Sequence, residues 1–185
     1  MRPRVAVVYY CPHPWCSKSC GSVRVSQAFG PRASNETVFR GMEGIVTSIL
    51  DGYNGCIFAY GPTGSGKTFT MEGTREDPGV NYRSLEAMFQ RIEAQSDSTE
   101  CTVSVSLLEI YNEQLLDMLV PRSAQEKLEI RRGPEGTYVR NLTVRQVASH
   151  DDVLKVMQEG YQARRTFATN VNEHSSRSHA CVCST

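Results

Sequence analysis

The chain has 185 residues, and its 20 Lys and Arg residues balance its 20 Asp and Glu residues, so the formal net charge is zero. This length corresponds to one domain or to a piece of one. The charge balance excludes a globally basic nucleic-acid-binding protein, and no apolar run approaches the length of a membrane span. We therefore expect neither nucleic acid nor a membrane as partner.

Residues 1–22 contain three prolines, three cysteines and the only tryptophan, which predicts an irregular leader. Its apolar run is short and is stopped by Pro12, so it is a poor secretory signal. Without a signal, the seven cysteines are expected to be reduced thiols in the cytoplasm. A zinc site is an alternative, but the spacing fits no defined pattern and no second ligand pair follows. Its candidate ligands would be Cys11, His13, Cys16 and Cys20.

A short strand at Val23–Val25 and a turn at Phe29–Pro31 are predicted ahead of the first helix. That helix is predicted to begin near Ser34, a good N-cap residue, and to end at Gly52. Apolar residues recur in it at three- and four-residue steps, which gives the helix one packing face. They are Val38, Met42, Ile45, Val46, Ile49 and Leu50.

The apolar run Cys56–Tyr60 predicts a buried strand, and Gly61–Thr68 follows it directly. Gly61–Thr68 fits G-x-x-x-x-G-K-S/T, the phosphate-binding loop of nucleotide triphosphatases, in the strand–loop–helix context that this motif requires. Glycines let successive backbone N–H groups point at one anion, and the following helix adds its own free donors. The alternative is a glycine- and serine-rich surface loop that matches by chance.

Within this loop, Lys67 would place a positive charge on the β- and γ-phosphates, and the Thr68 hydroxyl suits Mg²⁺. Pro62 lacks an N–H group, but the donors that wrap the phosphates lie later in the loop, so proline need not disturb them. The predicted nucleotide-binding residues are Gly61, Pro62, Thr63, Gly64, Ser65, Gly66, Lys67 and Thr68, with Phe69 considered below.

Strands and helices alternate over the rest of the chain, and Ser149 with Asp152 resembles a capping box. The predicted elements are a short helix after Thr68 that ends at Gly73, a loop at Thr74–Gly79, a helix at Ser84–Ala94, a strand from Val103 into Tyr111, a short helix around Leu115–Leu119, strands at Leu128–Ile130 and Tyr138–Val147, a helix from Ser149 to about Phe167 and a strand at Ala180–Cys183.

The segment Asn172–His179 is a dense polar run, which a solvated surface loop would also explain. The mechanism to weigh against that explanation is sensing of a γ-phosphate. Two adjacent hydroxyls can hold Mg²⁺ and the attacking water, and an arginine can close such a site by pairing with a carboxylate elsewhere.

This run contains N-x-x-S-S-R-S-H in full, which resembles the first switch loop of kinesins. The segment Ile57–Thr68 resembles the kinesin phosphate loop, where Gln usually stands in place of Pro62. Ser106–Glu113 looks like the long central strand of the family and its exit. Gly79–Arg83 is similar to the branch with C-terminal motors that move toward microtubule minus ends.

The resemblance covers residues 23–185 and implies the N-terminal part of a kinesin motor domain. The implied fold is α/β, a three-layer P-loop NTPase fold whose central mixed sheet is flanked by helices. The implied ligands are ATP and Mg²⁺, the implied partner is the microtubule, and the implied location is the cytoskeleton of the cytoplasm.

By match to the motif, Ser175 and Ser176 would handle the γ-phosphate, Mg²⁺ and the attacking water. Arg177 would pair with a glutamate of the second switch, and Asn172 completes the implied catalytic set. The implied Mg²⁺ ligands are Thr68 and Ser176. Phe69 stands where the family often has an aromatic residue or His that packs on adenine, and plain core packing is the equal alternative.

The sequence also departs from the family. The second switch, D-x-x-G-S-E, does not occur before Thr185, and the R-x-R-P adenine contact leaves at most a remnant at Arg2–Pro3. No heptad segment is present, so dimerisation is not encoded in this chain. We therefore expect weak or no microtubule-stimulated ATPase activity from the chain alone.

Two alternatives stay open at this point: a truncated kinesin-like module that binds nucleotide or a partner without hydrolysis, and an unrelated P-loop ATPase of the AAA type. A further set of arginines lies where family members make a secondary microtubule contact, although a solvated hairpin explains these residues better when they are considered alone. The set is Arg131, Arg132, Arg140 and Arg145.

Overall fold

The computed structural model describes residues 27–30, 32–95, 101–134, 136–170 and 178–184. The chain divides into two compact units, Met1–Gln95 and Ser96–Thr185. The predicted leader, the strand at Val23–Val25 and the zinc-ligand cluster lie outside the described residues.

The described part of the first unit is helical, with α1 at Asn35–Arg40, α2 at Glu43–Leu50, α3 at Lys67–Met71 and α4 at Val80–Gln95. Ser34 caps α1 as predicted, since its Oγ accepts the N–H of Thr37 at 3.2 Å. The single helix predicted from Ser34 is in fact two helices, interrupted at Gly41 and Met42. A Cβ at Gly41 would lie 2.8 Å from Cζ of Phe29, so the absence of a side chain at Gly41 leaves room for the side chain of Phe29.

Helix α2 ends at Leu50, and Gly52, where the sequence predicts the end of the helix, lies just past it with a φ of +91°. The N–H of Gly52 bonds the carbonyl of Ile49, and the N–H of Tyr53 bonds that of Ser48, which is the Schellman arrangement. The predicted apolar face packs against α4, which begins at Val80 rather than at Ser84. The buried residues of this helical core include Val38, Met42, Val46, Leu85, Met88 and Phe89.

The predicted strand at Cys56–Tyr60 is wrong for the structure, where these residues form no strand. Phe58 and Tyr60 are 43% and 74% exposed, although a central strand would bury such side chains. A strand exists only where neighbouring strands complete its hydrogen bonds, and no described segment pairs with residues 56–60 as a neighbour. An apolar run alone does not reveal whether those neighbours are present.

The second unit is built on strand β1 at Val103–Tyr111, which confirms the strand predicted there. The other strands are β2 at Gln114–Asp117, β3 at Glu129–Gly133, β4 at Gly136–Arg140, β5 at Arg145–Val147 and β6 at Ser178–Ser184. Strand β1 pairs antiparallel with β2, β5 and β6, and β3 pairs with β4 in a separate hairpin. A short 3₁₀ turn at Arg122–Ala124 follows β2.

Two predictions in this unit are corrected. The leucines at 115–119 were expected in a helix, but the chain turns back at Asn112 and Glu113 and forms β2. Both residues have positive φ, +47° and +61°, which suits the two-residue turn of a tight hairpin. The strand expected over Tyr138–Val147 is divided, because Asn141 has a φ of +65° and the pairing partner changes from β3 to β1.

Helix α5 at His150–Asn170 covers β1 and β5. Its predicted cap is confirmed, since Oγ of Ser149 accepts the N–H of Asp152 at 3.2 Å. A Cβ at Gly160 would lie 2.7 Å from Cδ2 of the buried Leu107, so glycine permits a close approach of helix and sheet. In the described residues, none of the helices has the length and apolarity needed to cross a bilayer.

Candidate nucleotide-binding site

The loop Gly61–Gly66 has the backbone that its glycines predict. Gly64 and Gly66 have φ values of +79° and +91°, which other residues rarely adopt. A Cβ at Gly61 would lie only 2.6 Å from Oγ of Ser65, so a side chain there would close the loop. Gly66 is the N-cap of α3, so the first N–H groups of that helix lie beside the loop.

Lys67 is the first residue of α3, and its side chain turns back over this loop. Its Nζ donates to the carbonyl of Gly61 at 2.9 Å and to that of Pro62 at 3.0 Å. The ammonium group therefore lies beside the same backbone that would surround an anion. Thr68 is an exposed residue, and its hydroxyl is an oxygen ligand of the kind that Mg²⁺ prefers. The donor set fits a magnesium-bound phosphate chain: backbone amides, one ammonium group and one hydroxyl.

Proline at position 62 is compatible with this geometry. The N–H of Ser65 donates to the Pro62 carbonyl at 3.2 Å, so the residue contributes an acceptor that closes the turn. The N–H that proline lacks has no role in these bonds.

The sequence did not predict the residues that support the other end of α3. Asn35 is 2% exposed, and its Nδ2 donates to the carbonyls of Phe69 at 3.0 Å and Asp77 at 3.1 Å. Asp77 in turn forms an ion pair with Arg83 at 3.2 Å. The acceptors of the Asn35 amide are backbone carbonyls 34 and 42 positions away, so the spacing of residues in the sequence does not indicate them.

Phe69 is half-buried in α3. This exposure is compatible with core packing and also with an adenine contact, so the stacking role stays a prediction.

The predicted catalytic residues Asn172, Ser175, Ser176 and Arg177 lie outside the described residues, so their roles stay predictions. The described part of that motif is Ser178 and His179, which open β6 opposite Tyr111 and Ile110 of β1.

Ser178 is held by a buried charge pair that the sequence did not reveal. Nε of Arg164 in α5 lies 3.2 Å from Oε1 of Glu109 in β1, whose side chain is only 3% exposed. The same guanidinium donates to Oγ of Ser178 at 3.0 Å. The sequence shows a carboxylate, Glu109, in the middle of an apolar strand, but it does not indicate which residue pairs with it.

The four arginines considered for a partner surface do not form one element. Three lie in the β3–β4 hairpin, whereas Arg145 lies in β5 and its Nη2 is 3.9 Å from Oε1 of Glu159. In the hairpin, hydrogen bonds first from Arg131 and then from Lys127 lower the pKa of Glu129. These contacts are typical of a solvated hairpin and add no requirement for a partner.

A loop with left-handed glycines that leads into a helix beginning with lysine and threonine is the arrangement of the P-loop class of proteins. Comparison with known families identifies the family within this class. The family model of the kinesin motor domain matches residues 17–185. The chain belongs to the kinesin motor domain family, and the resemblance stated from its motifs is confirmed. The P-loop NTPase fold follows from this membership, and the structure has the expected mixture of helices and sheets.

Curated relatives include the kinesin-like protein KIN-14Q of Arabidopsis thaliana, 48% identical over 167 residues, which covers 88% of this chain and 14% of the relative. KIN-14S of the same plant is 50% identical over 162 residues, covering 86% of this chain and 21% of the relative. KIN-14E of Oryza sativa subsp. japonica is 45% identical over 161 residues, covering 86% and 15%. These relatives confirm the predicted branch of the family. The chain spans 14–21% of their length.

Proposed function

We propose that this chain is the nucleotide-binding part of a microtubule-based motor and that it holds ATP with Mg²⁺ at Gly61–Thr68. The observation that carries the proposal is the position of Lys67, whose Nζ lies over the loop at 2.9 Å and 3.0 Å from two of its carbonyls. A lysine ammonium held beside the backbone of this loop supplies positive charge where a triphosphate needs it.

The residues of the loop have separate tasks in this proposal. The left-handed glycines Gly64 and Gly66 aim backbone N–H groups at the phosphates. Lys67 exchanges its two carbonyl acceptors for phosphate oxygens, a small movement for a flexible side chain. The hydroxyl of Thr68 would hold Mg²⁺, which neutralises phosphate charge and orients the chain.

Hydrolysis and movement are proposed for the complete protein. The support for a role of Ser175, Ser176 and Arg177 at the γ-phosphate is their match to the family motif, together with family membership. Microtubules are the proposed partner, and the cytoskeleton is the proposed location, on the same support. The three-layer arrangement with a central mixed sheet is also part of this proposal.

The test is titration of the chain with a fluorescent ATP analogue in the presence of Mg²⁺. Lys67→Ala is expected to weaken binding about 100-fold, since a charge-assisted contact to phosphate is lost. Lys127→Ala is the matched control, because that lysine is 86% exposed and pairs with Glu129 in the other unit. Equal affinities for the wild type and Lys67→Ala would refute a phosphate site at this loop.

A phosphate-release assay then separates binding from turnover. The chain alone is expected to show weak or no microtubule-stimulated hydrolysis. Robust turnover by this chain would contradict that expectation and would extend the proposal from binding to catalysis.

A further inference from the structure

Helix α3 carries Lys67 and Thr68, but it has only five residues, Lys67–Met71. A helix this short does not hold its own conformation in water, because nucleation is costly and few internal bonds form. Its last carbonyls also need donors from outside the helix. Whatever fixes the C-terminal end of α3 therefore also fixes the positions of Lys67 and Thr68.

The bonds at this end run as follows. The N–H groups of Glu72 and Gly73 both donate to the carbonyl of Thr68, at 2.8 Å and 3.4 Å. The next carbonyl, that of Phe69, accepts Nδ2 of Asn35 at 3.0 Å. A side chain from the first residue of α1 thus completes the last turn of a helix that lies 34 positions later in the chain.

Asn35 uses both protons of its amide group. The second bond goes to the carbonyl of Asp77 at 3.1 Å, and the backbone N–H of Asn35 donates to Oδ2 of the same residue at 3.1 Å. The residue is 2% exposed, so water cannot replace these bonds if the amide is removed. A buried side chain with every donor directed at backbone is well suited to fixing a register.

The segment that Asn35 grips is itself fixed. Arg83 of α4 forms an ion pair with Asp77 at 3.2 Å and donates through Nε to the carbonyl of Pro78 at 2.8 Å.

Two glycines allow the backbone on either side of this segment to approach closely. A Cβ on Gly73 would collide with the carbonyl oxygen of Asp77, and a Cβ on Gly79 would collide with that of Met71. The end of α3, residues 74–79 and the start of α4 form one interlocked turn.

From these contacts we infer that Asn35 is a positioning residue for the nucleotide site: it holds α3 by the Phe69 carbonyl and so sets where Lys67 and Thr68 lie. The inference rests on the proposed binding of nucleotide at Gly61–Thr68. Asn35 itself touches no part of the loop among its described contacts, and it acts through the helix.

The variants are chosen to separate positioning from general support of the fold. Asn35→Ala removes both donors, Asn35→Ser keeps one, and Asn35→Gln keeps the amide on a longer side chain. Val46→Ala is the control, because Val46 is fully buried in α2 of the same unit and its truncation lowers stability by opening a cavity. Each variant is examined as the full chain, by thermal unfolding and by titration with a fluorescent ATP analogue and Mg²⁺.

We expect Asn35→Ala to weaken analogue binding about tenfold, a loss typical of one or two buried hydrogen bonds. Asn35→Ser should lie between it and the wild type, and Asn35→Gln should restore part of the affinity. Val46→Ala should leave affinity within about twofold at temperatures where it is folded, despite a comparable fall in melting temperature. The inference is overturned if Asn35→Ala and Val46→Ala lose stability alike and both bind the analogue like the wild type.

Hydrogen exchange without nucleotide tests the same inference independently of the proposed function. Asn35→Ala should speed exchange at the amides of Glu72 and Gly73, which close the last turn of α3, and Val46→Ala should not do so selectively. If neither the wild type nor any variant binds the analogue, the proposed function fails. The exchange pattern alone then decides whether Asn35 positions α3. Unchanged exchange at Glu72 and Gly73 would reject it.

Discussion

Two regions of the molecule hold chain segments in place by different means. Around α3, the segment from Gly61 to Gly79 is shaped by backbone: glycines at positive φ, close carbonyl contacts and one asparagine amide. At the start of β6, Ser178 is fixed by the guanidinium of Arg164, which is itself paired with buried Glu109.

The difference shows which kind of support a sequence can reveal. A backbone that needs left-handed conformations requires glycine, and glycine spacing is visible in the letters of the sequence. The buried ion pair joins two charged residues that are 55 positions apart, and no sequence pattern indicates that Glu109 pairs with Arg164. The two regions should also differ in their sensitivity to mutation, because backbone strain and the loss of a buried ion pair have different costs in stability.

The largest effect is expected at the buried pair. Arg164→Ala should lower the free energy of unfolding by about 3 kcal/mol, because it removes an ion pair to the buried carboxylate of Glu109, whose side chain is only 3% exposed. Chemical denaturation measures this loss. The control is Arg131→Ala, whose pair with Glu129 is solvent-exposed and should contribute far less to stability. Similar losses for both variants would show that burial does not distinguish the two pairs.

The backbone of the first region is tested by Gly73→Ala. Alanine would have to adopt a φ of +74° with its Cβ against the carbonyl of Asp77, so we expect a loss of about 2 kcal/mol. Gly44→Ala is the matched control: no atom lies within 4 Å of its added Cβ, and it lies within α2. That variant should gain about 0.5–1 kcal/mol. A neutral Gly73→Ala would mean that the turn at residues 73–79 can relax.

The exposed carboxylate of Asp152, near the start of α5, makes a stabilising contribution that depends on pH. A hydrogen bond from Ser149, and then one from Lys155, hold the pKa of Asp152 below its usual value. A lowered pKa stabilises the folded chain above the pKa of the unfolded state, and this stabilisation is lost as pH falls through the folded pKa. Ser149→Ala should raise the pKa of Asp152 in an NMR titration and remove the cap of α5, at a cost of about 1 kcal/mol. Ser149→Thr, which keeps the hydroxyl, should change neither; an unmoved pKa in Ser149→Ala would assign the shift to Lys155.

The smallest effect is expected at Pro62. Pro62→Gln should change the affinity for a fluorescent ATP analogue by less than about threefold, since the residue contributes its carbonyl to the loop and every residue has one. A large change in the titration would show that the fixed φ of proline, rather than the later amides, sets the loop.

The sequence was most informative where chemistry and conformation need the same residues. Gly61–Thr68 was predicted because glycines, lysine and threonine are required by type, and the cap at Ser149 because its partner lies three residues away. Asn35 could not be predicted, because its acceptors are distant backbone carbonyls that no letter identifies.

The errors have physical causes of the same kind. The leucines at 115–119 have helical spacing, yet Glu113, which is no common turn residue, adopts a φ of +61° and directs the chain into β2. The composition of the apolar run at 56–60 favours a strand, but a strand also depends on neighbouring strands that complete its hydrogen bonds. The serine pair at Ser175 and Ser176 rests on its motif and on family membership, so it stays a prediction.

The most direct test of the account is hydrogen exchange of the chain with and without ATP and Mg²⁺, read at peptides that cover Gly61–Phe69. Nucleotide should slow exchange across this segment in the wild type and should leave it unchanged in Lys67→Ala. Exchange that is unaffected by nucleotide in the wild type, or slowed to the same degree in Lys67→Ala, would contradict a phosphate site built on this loop.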